Sequence, residues 1–145
     1  MPDTFRYAEH LLYSYPVNMM RIREAELTLA RLREETDCHA QNYNYCPQSA
    51  GGHSDPVAGY HAKVDRLERT LIRLREETAP IEKVRTFLLK SADERDSDML
   101  FVLELFYFEK MRLEDVALHL QKSVKTIGRR RQELTGLVLY ELEHS

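Results

Sequence analysis

Residues 113–132 read LEDVALHLQKSVKTIGRRRQ, and how this stretch divides decides the fold of the C-terminal third. Val116 and Leu120 give LEDVALHL one inward face at helical spacing. Ala117 supplies the small side chain that closely crossing helices need. Ser123 offers an oxygen to the free N–H groups of a new helix, and Ile127 falls one turn later on its core side. The spacing predicts two helices joined by a tight connection, a helix-turn-helix whose second helix faces the DNA major groove. Gln121 stands in the turn, where glycine is the ordinary choice because reversal favours a left-handed residue.

Charge points the same way. Lys122, Lys125, Arg129, Arg130 and Arg131 fall within ten residues that hold no acid. Such a cluster suits phosphate neutralisation, and arginine pairs with guanine through two hydrogen bonds. In a helix begun at Ser123, the residues Lys125, Thr126, Arg129 and Gln132 share the outward side, while Lys122 and Arg130 sit at its edges, nearer phosphates. Arg131, one turn after Ile127, runs along the core boundary. The candidate DNA contacts are thus Lys122, Ser123, Lys125, Thr126, Arg129, Arg130 and Gln132. The formal net charge of -3 does not by itself suggest nucleic acid, so this reading rests on the local patch.

Before the two helices, MLFVLELFYFEKM (99–111) is the most apolar stretch and needs burial. After them, TGLVLYELEHS is amphipathic and continues the last helix. Upstream, SADERDSD (91–98) reads as a polar linker, which sets a module over residues 97–145.

The N-terminal part reads as a helical, coiled-coil arm over residues 1–90. Thr4 to Ser14 forms a short helix that Tyr15-Pro16 punctuates, because a residue before proline is pushed out of helical geometry. From Val17 to Thr36, Ile22, Ala25, Leu29 and Leu32 make a heptad seam. A loop at about 37–55 carries small polar residues and Gly51-Gly52. Ser54-Asp55-Pro56 is a helix start. Val64, Leu67, Leu71, Leu74 and Ile81 then hold the heptad frame, with Thr78 in the seam and Pro80 as the place for a kink or break; Leu88 extends the frame to Lys90. RLREET occurs twice, at 31–36 and 73–78, in one heptad phase. Its charges fit an exposed scaffold face, and the two helices can form an antiparallel hairpin or pair between chains. Tyr7, Tyr13 and Tyr15 are expected to pack the first helix against this arm.

Composition agrees with an all-α protein: 31% of residues are charged, with only 5 Gly and 5 Pro. No stretch approaches the roughly 20 apolar residues of a membrane span, and MPDTFRYAEH lacks a signal-peptide pattern, so no membrane partner and a cytoplasmic location are expected. Cys38, His39, Cys46 and His53 do not read as a zinc set, because C-x7-C is not the close pair of a finger or ribbon. No metal, cofactor or catalytic constellation is expected, and the chain does not read as an enzyme.

With these residues in place, FYFEKMRLEDVALHLQKSVKTIGRRRQEL resembles the helix-turn-helix of sigma-factor region 4. The match is carried by Glu114 (shifted by one, with Asp115 in the usual site), Ala117, Leu120, Ser123, Thr126 and Ile127; Leu113 replaces a frequent capping Thr. LLYSYP, a variable loop, GGHSDPVAGYHAKVDRLERTL and this module, in that order, are similar to the RinA/ArpU family of phage-encoded transcriptional regulators. The resemblance implies a DNA-binding activator of late phage genes, such as packaging and structural operons, in a bacterial host. Two other classes stand beside it. One is a coiled-coil interaction protein docking on host RNA polymerase; the other is a small terminase-like packaging protein that oligomerises through the arm.

Overall fold

The computed structural model describes residues 2–42 and 56–144, with side chains for 4–35 and 59–144. All regular structure among the described residues is helical, as composition predicts. Helix α1 is Pro2–Asn42, α2 is Pro56–Lys90 and α3 is Glu94–Phe101, which widens into a π-helical segment Val102–Phe108. Helix α4 is Leu113–Leu120 and α5 is Val124–His144. Packing divides the chain into two units, Met19–Arg75 and a larger one of residues 1–18 with 76–145, and not at the polar stretch near residue 90.

Two prolines do not break their helices. Pro16 lies inside α1 and Pro80 inside α2. Proline removes one intrahelical hydrogen bond and crowds the preceding turn, at a cost of about 3 kcal/mol. Tertiary packing on both sides offsets it. Around Pro16, Ala8, Leu11 and Leu12 are buried on one side and Asn18 on the other, and the Ser14 hydroxyl donates to the His10 carbonyl at 2.7 Å. Pro80 is itself buried, between Thr78 and Ile81. The loop expected at 37–55 also begins later, because α1 runs to Asn42; its remainder, with the Ser54 and Asp55 cap, lies outside the described residues.

In the unit Met19–Arg75 the repeated helices pair with each other within one chain. Ile22, Ala25 and Leu29 from α1 cluster with Leu71 and Leu74 from α2. The pair is antiparallel: Arg33 meets Glu68 at 3.2 Å and Arg75 meets Glu26 at 2.8 Å. Shifting the chain by 42 residues carries Arg33 onto Arg75 and Glu26 onto Glu68. The second arginine of each RLREET copy therefore makes the same ion pair, with a glutamate seven residues before the other copy's arginine, related by a local pseudo-twofold. Each is exposed and contributes little, roughly 0–1 kcal/mol; the apolar seam provides the adhesion.

The larger unit has the main core. It joins Ala8, Leu11 and Leu12 of α1, Ile81, Val84 and Leu88 of α2, and Met99, Val102, Leu103, Tyr107, Val116, Ile127, Leu134 and Val138 from the C-terminal helices. The first helix thus packs on the C-terminal helices, contrary to the expectation that its tyrosines face the arm. Tyr13 sits edge-on to Tyr107 at 4.8 Å, Tyr15 stacks on Phe108 at 4.9 Å, and Tyr7 is exposed. The stretch 91–98 is not all linker. Asp93 caps α3, its carboxylate accepting from the Arg95 N–H at 3.0 Å, and Glu94 and Asp96 suit the positive end of the helix dipole.

Between α4 and α5 the chain turns at Gln121, which is left-handed at φ 57°. The Gln121 N–H reaches the Leu118 carbonyl at 3.1 Å and the Lys122 N–H reaches Ala117 at 2.9 Å, the paired bonds of a Schellman end. A residue with a Cβ is held there at a cost of about 1 kcal/mol. Gln121→Gly is expected to raise stability by about that amount, less the extra chain entropy of glycine, while Gln121→Ala gives no gain. Thermal melting of the three proteins checks this.

Candidate nucleic-acid interface

Ser123 sets the start of α5. Its hydroxyl accepts from the Thr126 N–H at 3.1 Å, and its carbonyl takes the first helical bond from Ile127 at 3.1 Å. Ile127, Leu134 and Val138 then lock one side of α5 into the core. That fixes which side faces out. Lys125, Arg129 and Gln132, at i, i+4 and i+7, form an exposed strip along the first two turns. Among the described residues, neither Lys125 nor Arg129 has a carboxylate within ion-pair distance.

The other candidates are engaged elsewhere. Lys122 faces α3, with its ammonium on the carboxylates of Glu94 (3.0 Å) and buried Asp98. Hydrogen bonds to Asp98 and Glu94 push its pKa above the usual lysine range. Arg130 is nearly covered, at 14% side-chain exposure; it donates to Glu133 at 3.0 Å, and its Nε lies 3.9 Å from Asp98. Thr126 is half-buried, and its hydroxyl is 2.8 Å from that of Ser123. So the structure gathers Lys125, Arg129 and Gln132 on one strip. It turns Lys122 and Arg130 toward the acids of α3 and α5, and uses Ser123 and Thr126 in the cap.

Arg131 does run along the core boundary, in a network that spacing alone did not reveal. Its guanidinium lies over the Phe106 ring at 4.8 Å and donates to Glu9 at 2.7 Å and to the Tyr107 hydroxyl at 3.3 Å. The Tyr107 hydroxyl donates to Glu9 at 3.2 Å and lies 3.4 Å from the Thr135 hydroxyl. Burial works against the Arg131 charge, but the bonds to Tyr107 and Glu9 outweigh it and raise its pKa. Glu9 and Asp98 were missed because each acts on a base 122 or 24 residues away, a separation no local pattern carries.

Among the described residues, no group of three or more His, Cys, Asp or Glu side chains is placed to hold a metal. The side chains of Cys38, His39, Cys46 and His53 lie outside the described residues. No described helix is long and apolar enough to cross a membrane. Comparison with family models, curated proteins and solved structures finds no match to this chain.

The network has a pH signature. Tyr107 is fully buried, and burial pushes its phenol from 10.0 up to about 12. The folded state then keeps a proton that the unfolded state loses first, so stability is whole below pH 10 and falls as pH rises toward 12. The loss is on the order of 2–3 kcal/mol. Tyr107→Phe is expected to flatten this alkaline fall, measured by urea unfolding across that window.

Proposed function

We propose that the chain is a sequence-specific, double-stranded DNA-binding transcriptional regulator in which α4, the turn at Gln121 and α5 act as a helix-turn-helix. One observation carries the reading: α5 presents Lys125, Arg129 and Gln132 outward on its first two turns, and no described acid pairs with the two bases. In this reading α4 lies across the DNA backbone and the N-terminal half of α5 enters the major groove. Arg129 is suited to the O6 and N7 acceptors of guanine, and Gln132 to adenine. Lys125 adds phosphate attraction. The antiparallel pair of Met19–Arg75 serves as the arm. The resemblance to sigma-factor region 4 and to the RinA/ArpU regulators supports the reading and adds activation of late phage genes, with host RNA polymerase as a further partner.

Band-shift titrations on duplexes recovered from a random-sequence pool test it. Binding should weaken steeply between about 50 and 200 mM salt. Lys125→Ala with Arg129→Ala should lower affinity by about tenfold or more with melting unchanged. Binding that ignores salt, or survives the double substitution, contradicts the reading.

A further inference from the structure

Between the first turns of α1 and the outward side of α5 lies a groove of about 500 Å3, walled by Phe5 and Glu9 on one side and by Lys125, Gly128, Arg129 and Gln132 on the other. Its helix wall contains a glycine that packing does not require. A Cβ at Gly128 would meet only Leu113 Cδ2 at 3.9 Å, an ordinary van der Waals contact. Inside a helix glycine is less favourable than alanine, and it is the residue that lets another molecule approach the backbone. The groove is also cationic. Among the described residues its one carboxylate, Glu9, is matched by Arg131 at 2.7 Å and by the Tyr107 hydroxyl at 3.2 Å. Lys125 and Arg129 carry no such match among the described residues.

A thin, negatively charged chain with an apolar flank suits these walls. Resting on the DNA-binding reading above, the geometry points to this groove as the seat of one phosphodiester of the DNA strand beside α5. Lys125 holds the phosphate, while Arg129 and Gln132, further along α5, keep the base edges assigned to them above. Gly128 leaves room for the strand, and Phe5 lies against the sugar. The first turns of α1 thereby become part of the DNA-facing surface. This contact is blind to base sequence and fixes how deep α5 sits.

Gly128→Ala separates this role from a structural one, because stability and binding should move in opposite directions. The variant is expected to melt at or above the wild type, yet bind a pool-selected duplex about tenfold more weakly. Its log–log salt slope should be smaller by about 1. Gly136→Ala, also within α5 and with nothing within 4 Å of its Cβ, should raise melting and leave binding unchanged. A single methylphosphonate linkage should weaken wild-type binding while leaving Gly128→Ala unaffected. Wild-type affinity in Gly128→Ala, or melting below the wild type, overturns the groove assignment. Inorganic phosphate raising wild-type melting, with no methylphosphonate effect, assigns the groove to a free anion and overturns the strand assignment. No duplex binding by the wild type at any salt overturns the DNA reading itself, and the groove assignment with it.

Discussion

The contact on which the larger unit depends is the node of Glu9, Arg131 and Tyr107. A guanidinium on the core boundary must be paired and hydrogen-bonded, or its desolvation outweighs whatever packing it gains. Here Glu9 comes from the second turn of α1 and Tyr107 from the π-helical segment, and Phe106 covers the guanidinium plane. The node therefore fixes the rotation of α5 about its axis together with Ile127 and Leu134. Once that rotation is set, Lys125, Arg129 and Gln132 have no choice but to face outward.

A buried carboxylate sorts the remaining bases. Asp98 is almost fully covered on α3 and draws in Lys122 and Arg130. The basic run in KSVKTIGRRR is thus divided by function. Lys122, Arg130 and Arg131 pair with acids of the fold, and Lys125 and Arg129 stay exposed with no described carboxylate within ion-pair distance. Counting charges along the sequence overstates the basic surface, because the buried Asp98 carboxylate draws in Lys122 and Arg130.

What was legible in the sequence was local. Ser123 and Thr126 stand three residues apart and cap α5 as their spacing predicts, and the inward phase of Val116 and Ile127 is simple helical periodicity. The shared heptad phase of the two RLREET copies anticipated a paired seam, though only the structure shows that the pairing is intramolecular. The misread places were governed by contacts between distant residues. Pro16 and Pro80 look like breaks until the packing around them is known, and nothing near Glu9 announces Arg131. The helix hidden in SADERDSD is a different case. Asp93 followed by acids in the first turn is a cap signal, and it was obscured by the polarity of the whole stretch. Gly128 is not legible in the sequence, because a lone helical glycine has meaning only once it is seen to line a groove.

The Glu9–Arg131 contact makes the first turns of α1 and helix α5 one cooperative body that presents the basic strip. Native-state amide hydrogen exchange tests it most directly, since it reports opening free energies segment by segment. Amides of residues 8–14 and 127–138 should open with the same free energy, and Glu9→Gln should lower both by the same amount. Early exchange of residues 8–14, with residues 127–138 unchanged by Glu9→Gln, would contradict it.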